Sequence, residues 1–249
     1  MPAPFGRRIC VVLSRVEVGA YVVLEVADDC VAAEPGQFYM LMGVDGWGGG
    51  DAQRPFVGRA ISALRATGDG RISFLIEAVG PGTGQLTASE RLWLVGPLGR
   101  GFTPPEGGRE LLLVGGGVGI PPLVMAQEAW GGRALVGFRD AHHAQAASLF
   151  KDPEIATDDG SAGHHGFVTD LLDRVLEGRA DVVIYACGPR AMLEAVRQRA
   201  GRHRVKAQLG IEAEMACGFG SCWGCVVATK DGYKRVCVDG PVFDAAVLA

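Results

Sequence analysis

Four of the seven cysteines of this 249-residue chain lie in one short stretch, CGFGSCWGCVVATKDGYKRVC, which runs from Cys217 to Cys237. No N-terminal segment has the zones of a signal peptide and no apolar run is long enough to span a bilayer, so we expect a cytoplasmic protein without membrane contact. Structural disulfides are rare in the cytosol, where clustered thiols are more often metal ligands. We therefore expect this stretch to fold as a loop that gathers sulfur atoms around an inorganic centre.

The spacing of these cysteines favours one kind of centre. Three follow the pattern C-x4-C-x2-C and the fourth comes after eleven further residues, and plant-type 2Fe–2S ferredoxins use this spacing with a distant fourth cysteine. A loop around such a cluster must turn backbone N–H groups toward negatively charged sulfur, and Gly218, Gly220 and Gly224 permit the close approach that this needs. We predict that a 2Fe–2S cluster is bound by Cys217, Cys222, Cys225 and Cys237.

Two other interpretations of the thiols are open. Structural zinc sites usually pair two short C-x2-4-C knuckles, whereas Cys237 stands alone. Buried, inert thiols are the second alternative, although four in one glycine-rich loop would be unusual core residues. Outside the pattern, we expect Cys10 and Cys30 to be ordinary core residues.

The pattern of apolar residues predicts a multidomain α+β fold. Short runs rich in β-branched and aromatic residues, such as RICVVLS and YVVLEVA, predict an antiparallel β-barrel or sandwich over residues 1–104. From 105 to 206, strand-like and helix-like segments alternate, which is typical of an α/β domain with a parallel sheet. RVKAQLG fits a last strand, after which we expect the regular pattern to stop, so that 207–249 forms a small cysteine-bearing domain.

Charge and composition exclude some classes of function. The net charge of −4, with 48% hydrophobic and 21% charged residues, indicates a globular chain with no nucleic-acid partner. His142–His143 and His164–His165 fall in predicted loops, where solvated side chains are the default. No Ser–His–Asp or paired-carboxylate arrangement supports hydrolytic chemistry.

A glycine run follows the first strand of the α/β region, in LLLVGGGVGIPP. Such a strand–turn–helix junction binds the pyrophosphate of a dinucleotide through exposed N–H groups and the helix dipole. Ile120 replaces the third glycine of the usual G-x-G-x-x-G, and a tight turn without a ligand is the alternative. The candidate NAD-binding residues here are Gly115, Gly116, Gly117, Gly119, Ile120 and Pro121.

Two further segments are candidates for the same ligand. YACGP ends a buried strand, so Cys187, Gly188 and Pro189 are expected at the carboxyl edge of the sheet, where open α/β folds bind ligands. Asp140 is placed to take the hydroxyls of the adenosine ribose of NAD, whereas the adjacent Arg139 would favour the 2′-phosphate of NADP. The sequence leaves the choice between NAD and NADP open.

A chain with both a cluster loop and a dinucleotide fold predicts a flavin, because NAD accepts hydride, the cluster passes single electrons, and a flavin does both. GRAIS (58–62) offers an arginine for a pyrophosphate and the hydroxyl of Ser62 for the ring. VGPGTGQL (79–86) offers backbone donors at Gly82, Thr83 and Gly84. An exposed arginine and an ordinary turn are the alternatives.

The order of these motifs resembles a known family. GRAIS, GPGTG, GPLGRGF, VGGGVGIPP, YACGP, CGFGSCWGC and RVCVDGPVF follow one another as in the electron-transfer subunits of NAD-linked, two-subunit dihydroorotate dehydrogenases, which are ferredoxin reductase-like flavoproteins. The resemblance covers nearly the whole chain and is most specific in the cysteine segment. It implies an FAD-binding barrel at 1–104, an NAD-binding domain at 105–206 and a 2Fe–2S domain at 207–249.

The resemblance also implies site residues and partners. Its FAD contacts fall on Arg59, Ala60, Ile61, Ser62, Ile76, Glu77, Ala78, Gly82, Thr83 and Gly84. The broader family often stacks an aromatic residue on the flavin where Ile61 stands, and Arg54-Pro55-Phe56 is a rival for the arginine signature. The implied partner is an FMN-containing catalytic subunit that oxidises dihydroorotate in pyrimidine (UMP) biosynthesis, within a heterotetramer of two copies of each chain. Trp223 would cover the cluster, contact that partner, or pack locally.

Two alternative functions remain at this point. One is the small FAD/2Fe–2S subunit of a ferredoxin–NADP transhydrogenase or sulfide dehydrogenase; such relatives often replace one cluster cysteine, and this chain keeps all four. The other is a non-redox, zinc-stapled regulator that binds nucleotides.

Overall fold

The computed structural model describes residues 6–29, 33–48 and 55–249, and its first part is a closed six-stranded antiparallel barrel. The strands are β1 (Arg8–Val18), β2 (Tyr21–Ala27), β3 (Phe38–Gly43), β4 (Arg59–Thr67), β5 (Arg71–Glu77) and β6 (Arg91–Leu98), in the order β1-β2-β5-β4-β3-β6. In β1, Cys10 and Val12 are buried while Ile9 and Val11 face solvent, because successive side chains of a strand point to opposite faces. The predicted barrel is confirmed. Cys10 lies in its core as expected, and Cys30 lies outside the described residues.

The second part is a mostly parallel sheet with helices on its faces. Its elements are β7 (Glu110–Gly116), α2 (Pro121–Trp130), β8 (Arg133–Phe138), α3 (Ala141–Ala144), β9 (Glu154–Thr157), β10 (His164–His165), α4 (Val168–Leu176), β11 (Val182–Cys187), α5 (Arg190–His203) and β12 (Lys206–Gly210). All six residues of β11 are buried, as expected for a central strand that is covered on both faces. Pro121 and Pro122 occupy the first turn of α2, where a missing N–H costs nothing.

The cysteine-bearing segment contains more regular structure than the sequence indicated. After β12 come β13 (Val226–Thr229), β14 (Gly232–Arg235), α6 (Val236–Asp239) and β15 (Val242–Asp244). β13 and β14 form a hairpin, whereas β15 pairs antiparallel with β12 and completes a seven-stranded sheet in the order β10-β9-β8-β7-β11-β12-β15. The expectation that regular structure stops at 210 is therefore wrong, and the chain end is tied to the α/β sheet. The domain limits at 104 and 206 stay predictions.

Three other segments differ from the sequence-based expectation. The GPGTG stretch belongs to a helix, α1 (Pro81–Ala88), rather than a turn. His142 and His143 lie in α3, and His164 and His165 form β10, so neither pair is in an irregular loop. Within the described residues, no helix is long and apolar enough to cross a membrane.

The barrel packs directly against the α/β sheet. Tyr21, Leu64 and Leu75 of the barrel share one buried apolar cluster with the side chains of β7 and α2. At the edge of this contact, Nε of Arg65 lies 2.5 Å from Oε1 of Glu128 in α2. This packing brings Tyr21 and Glu77, at the ends of β2 and β5, next to the glycine turn at the carboxyl edge of the parallel strands.

Candidate cofactor sites

Arg59, the first residue of β4, lies at the start of α1. A Cβ added at Gly82 would lie 2.5 Å from Nη2 and 2.6 Å from Nε of this guanidinium, so only glycine lets the arginine occupy this position. The first amides of a helix lack intrahelical partners and attract anions. The structure thus brings together the two segments that sequence analysis connected with FAD, and their combined charge suits a pyrophosphate.

The structure narrows the backbone N–H groups that could bind a phosphate at the start of α1. Pro81 has no N–H, and the amide of Gly84 donates to the carbonyl of Gly80 at 2.8 Å, which leaves the amides of Gly82 and Thr83. The buried indole Nε1 of Trp47 has no hydrogen-bond partner in the part of the chain described, and the Arg59 guanidinium carbon lies 5.6 Å from its ring centre. An unpaired donor beside a cationic cradle fits an anionic cofactor such as FAD.

The remaining flavin candidates lie on the barrel wall near this cradle. Ile61 and Ser62 are half-buried on β4, opposite Tyr39 and Phe38 of β3, and Ala60 is exposed. Ile76 is buried near the end of β5, and Ala78 directly follows that strand. Glu77, the last residue of β5, pairs with Arg139 of the α/β domain, so its predicted contact with FAD stays a prediction. The rival arginine signature cannot be compared, since Arg54 is outside the described residues.

The glycine turn after β7 is explained by close packing between backbone segments. A Cβ at Gly119 would lie 2.7 Å from the Cα of Gly188, and one at Gly116 would lie 2.7 Å from Sδ of Met192. Gly117 has a φ of +53°, which favours glycine. These contacts draw the ends of β7 and β11 together, so that Cys187, Gly188 and Pro189 meet the glycine turn as predicted. A Cβ added at Gly115 would lie 3.0 Å from Cγ2 of Ile120 and 3.1 Å from Cδ1 of Leu123.

A cavity of about 600 Å³ opens beside this turn. It is lined by the glycine turn, by Arg139, Asp158 and Pro189 of the α/β domain, and by Tyr21 and Glu77 of the barrel. Its position at the carboxyl edge of the parallel strands is where open α/β folds bind dinucleotides. The cavity therefore has the place and the lining expected of the NAD site.

Asp140 caps a short helix in this structure. Its Oδ1 accepts the backbone N–H of His143 at 2.9 Å and lies 2.7 Å from Nδ1 of the same histidine. The carboxylate therefore caps α3, and these hydrogen bonds from His143 hold its pKa below the usual range. Asp140 is not among the residues lining the cavity, whereas Arg139 is, so its contact with ribose stays a prediction.

Two groups lie at the ends of the neighbouring strands β11 and β12. Cys187, the last residue of β11, is buried in the apolar core and is not among the residues lining this cavity. Its burial, together with the charge of Glu212, raises the pKa of its thiol far above the usual value, and a neutral thiol suits a residue that packs rather than reacts. Glu212, which sequence analysis missed, lies two residues after β12 and lines both this cavity and a larger one of about 800 Å³ between α5, β12 and β13. Its place after a strand of the parallel sheet was the available signal.

The four predicted cluster ligands lie near one another. The thiol of Cys217 interacts with that of Cys222, and the thiol of Cys237 interacts with those of Cys225 and Cys217. The N–H of Cys237 points at Sγ of Cys225 from 3.4 Å. Within the described ranges, no three His, Cys, Asp or Glu side chains are placed to hold a single metal ion. The spacing of the four thiols along the chain is that of a 2Fe–2S site rather than of structural zinc.

Backbone geometry around the thiols matches what a thiolate centre requires. Burial raises the pKa of Cys217, but the backbone N–H groups of Cys222, Phe219 and Ser221 lower it to about 6. Gly218 and Gly220 have φ values of +78° and +87°, so these glycines are required as predicted. Gly224 needs no such conformation; Trp223, with a φ of +57°, makes the turn before it.

The cluster loop packs on the barrel next to the flavin strand. A Cβ at Gly218 would lie 2.4 Å from Cγ of Met40 in β3, and Met40 is paired directly with Ala60 of β4. Adjacent strands are about 4.8 Å apart. One strand therefore separates the predicted cluster site from the predicted flavin signature.

The outer side of the cluster loop exposes aromatic side chains. Phe219 and Trp223 are 56% and 57% exposed, and the guanidinium carbon of Arg235 lies 4.7 Å from the Trp223 ring centre. Trp223 thus has a local contact on one face, while its other face is open to solvent. An apolar surface beside a redox centre suits contact with another protein.

The chain is similar to several known proteins. Residues 212–249 match the family model of the iron–sulfur cluster binding domain of dihydroorotate dehydrogenase B. The chain is 36% identical to the dihydroorotate dehydrogenase B (NAD(+)) electron transfer subunit of Bacillus velezensis, over 87% of each chain, and 36% identical to that of Geobacillus thermodenitrificans, over 85% of each. It is also similar to a solved NADH-dependent reduced ferredoxin–NADP oxidoreductase, with a TM-score of 0.83, 25% identity, and coverage of 98% of this chain and 91% of that one. A carbazole 1,9a-dioxygenase ferredoxin reductase matches with a TM-score of 0.68 and 24% identity, over 82% and 68% of the two chains, and shows the fold alone.

Proposed function

Because the chain belongs to the family of the electron transfer subunits of NAD(+)-dependent dihydroorotate dehydrogenase B, we propose that its three sites divide electron transfer between a 2Fe–2S cluster, FAD and NAD. The chain is an oxidoreductase subunit that transfers electrons to NAD in pyrimidine biosynthesis. When bound, the cluster exchanges single electrons, NAD exchanges hydride, and FAD does both.

The residues proposed for FAD bind and orient it. Arg59 and the free amides of Gly82 and Thr83 would hold the pyrophosphate at the start of α1, as cationic and helix N-terminal donors do. Ser62 would donate its hydroxyl to the ring edge. Ile61 offers an apolar side chain instead of an aromatic one, so the ring would be held by packing rather than stacking.

The residues proposed for NAD lie at the glycine turn after β7 and at the end of β11. Gly116, Gly117 and Gly119 would present backbone N–H groups to the pyrophosphate, and the dipole of α2 adds to their attraction. Cys187 and Gly188, at the end of β11, are small enough to let the nicotinamide approach the flavin. The neutral thiol of Cys187 contributes shape and no charge.

The four thiols are proposed to hold the cluster at the surface that receives electrons. Cys217, Cys222, Cys225 and Cys237 would hold the cluster, with the loop amides stabilising the negative sulfurs. The observation that carries the proposal is the contact between this loop and Met40, one strand from the flavin signature.

The partner is the catalytic subunit of dihydroorotate dehydrogenase that the name of the family implies. We propose that this subunit contains FMN, that it docks on the exposed face of Phe219 and Trp223, and that two copies of each chain form a heterotetramer. The support is that both side chains are more than half exposed directly beside the cluster ligands.

The experiment replaces one cluster ligand, Cys222→Ser, in the complex of both subunits. Dihydroorotate-driven reduction of NAD should fall at least about a hundredfold, because the cluster relay is lost, while NADH-driven reduction of an artificial dye through FAD persists. The matched control is Ser221→Ala, an exposed neighbour that provides no ligand, and it should keep both activities. If Cys222→Ser keeps the dihydroorotate-driven activity, the cluster is not the obligatory relay.

The alternatives are less well supported. The chain retains four cysteines and is 36% identical to electron transfer subunits over most of its length, against 25% for the ferredoxin–NADP oxidoreductase structure. A zinc-stapled regulator does not account for the similarity of residues 212–249 to an iron–sulfur cluster binding domain. The absorption spectrum of the purified chain distinguishes an electron transfer subunit, which would show flavin and iron–sulfur bands, from a zinc-stapled regulator, which would be colourless.

A further inference from the structure

Glu77 is the last residue of β5 in the barrel, yet its carboxylate pairs with the α/β domain. Its Oε1 accepts a hydrogen bond from Nη2 of Arg139 at 2.9 Å and lies 3.5 Å from Nε2 of His143. The side chain of Glu77 is 18% exposed. All three residues line the cavity assigned to NAD. The barrel thus places a largely buried negative charge inside the dinucleotide site.

Arg139 stands where dinucleotide folds distinguish their two ligands. It directly follows β8, the second strand of the glycine-turn unit, and in such folds an acidic residue there binds the ribose hydroxyls of NAD, whereas an arginine accommodates the 2′-phosphate of NADP. Among the described residues that line the cavity, Arg139 is the one arginine or lysine. Taken by itself, Arg139 would favour NADP.

We propose that Glu77 makes the site selective for NAD over NADP by neutralising Arg139 and holding its guanidinium against the barrel. This inference rests on the proposed NAD site. A phosphate monoester carries a charge of about −1.5 to −2 at neutral pH, and near Arg139 it would meet the carboxylates of Glu77 and Asp158. The ribose hydroxyls of NAD carry no charge and meet no such repulsion. Selectivity therefore comes from an unfavourable interaction with the wrong ligand.

Asp140, the acidic residue next to Arg139 in sequence, is engaged by a different partner. Asp140 is occupied by His143, which sits between the two carboxylates, with Nδ1 toward Asp140 and Nε2 toward Glu77. His143 is only 12% exposed and its ring contacts Tyr21 edge-on, at 5.7 Å between centroids. The histidine lies against the same carboxylate oxygen of Glu77 that accepts from Arg139, so the acidic group beside the arginine comes from the barrel.

The test is Glu77→Gln in the FAD-loaded, full-length chain, with NAD⁺, NADP⁺ and adenosine 2′,5′-bisphosphate as probes in isothermal titration calorimetry. Glutamine keeps the size of the side chain but removes its charge and releases Arg139. The ratio of the dissociation constants, NADP⁺ to NAD⁺, should fall at least about tenfold, and adenosine 2′,5′-bisphosphate should bind more tightly by a similar factor. Raising the salt concentration should reduce this gain, because Arg139 is 62% exposed.

Two further variants serve as controls. Glu25→Gln removes a comparable cross-strand partner, the carboxylate 3.0 Å from Arg71 on the barrel, and should leave the ratio unchanged. Adding Arg139→Ala to Glu77→Gln should return the ratio to the wild-type value, because the released guanidinium is then absent. A ratio in Glu77→Gln within twofold of wild type, in a chain that still binds NAD⁺, would overturn the proposal.

The outcomes separate this inference from the proposed NAD site. If the wild-type chain binds neither dinucleotide, the NAD site itself is misplaced. If Glu77→Gln does not fold, the salt dependence of the wild-type ratio decides, because repulsion by Glu77 and Asp158 predicts that the ratio of NADP⁺ to NAD⁺ dissociation constants falls as salt is raised. A ratio that rises with salt would show an arginine that already binds the 2′-phosphate, and would refute the role of Glu77.

Discussion

Replacing Gly82 with alanine tests the flavin cradle without removing any charged group. The added Cβ would lie 2.5 to 2.7 Å from three atoms of the Arg59 guanidinium, distances that real contacts do not reach. The guanidinium is the free end of a flexible side chain, so it can swing away while the helix keeps its backbone. We therefore expect a folded protein in which Arg59 no longer lies at the start of α1.

The loss of FAD affinity can be estimated from the interaction that is displaced. A hydrogen bond to a charged group contributes about 1.5–3 kcal/mol, and each 1.4 kcal/mol is a factor of ten in affinity. Displacing the Arg59 contact with the pyrophosphate should therefore weaken FAD binding by about 10- to 150-fold. Fluorescence titration of the apoprotein with FAD measures this directly.

Gly84 provides the matched control in the same helix. A Cβ there meets nothing within 4 Å, and alanine is favoured over glycine inside a helix by about 0.5–1 kcal/mol. Gly84→Ala should thus bind FAD normally and melt at a slightly higher temperature.

Arg59→Ala should weaken FAD binding about as much as Gly82→Ala, and the double variant should be no worse than either, because both remove one interaction. Additive losses, or normal FAD binding by Gly82→Ala, would refute the proposed cradle.

Two smaller predictions concern glycine and cysteine. Gly218→Ala should lower the iron and acid-labile sulfide content per chain by at least about half. The left-handed backbone at this position would be strained by roughly 1–2 kcal/mol with alanine, and the added Cβ would lie 2.4 Å from Met40. In the control Gly224→Ala, the nearest contact of the added Cβ is an ordinary 3.6 Å, so the iron and sulfide content should not change. Burial and the charge of Asp28 raise the pKa of Cys10 to about 11, so its thiol is neutral at pH 8. Mass spectrometry after iodoacetamide treatment should find it unmodified in the native chain and modified after unfolding, and equal labelling in both states would contradict this.

Motifs with a local physical cause were predictable from the sequence. The cysteine spacing, the glycine turn between β7 and α2, and the prolines at the start of α2 each reflect a requirement met within a few residues. Gly117 needs its positive φ, and Pro121 suits a first helical turn, whatever the rest of the chain does. The barrel and the parallel sheet were also predictable, because strand and helix periodicities are local.

Contacts between distant segments were not predictable in this way. Nothing near Glu77 in sequence indicates that it meets Arg139, since the contact depends on how the barrel docks on the sheet. Asp140 is predicted to bind ribose from its place after β8, and the local sequence did not reveal that its carboxylate also caps α3 by accepting the N–H of His143. The GPGTG stretch, with three glycines, becomes α1 because Leu86 anchors the helix in the barrel core, which outweighs local propensity.

The predicted cluster and flavin sites are held together differently from the proposed NAD site. Met40 on β3 contacts the cluster loop, and its register partner Ala60 belongs to the flavin signature on β4, so hydrogen-bonded neighbouring strands fix these two sites relative to each other. The NAD cavity is instead built between the barrel and the α/β domain, with Glu77 on one wall and Arg139 on the other. Single-electron transfer requires a constant separation, whereas a dinucleotide must enter and leave. The flavin strand and the cluster loop are therefore held together by strand pairing and packing, whereas the two walls of this cavity come from separate sheets.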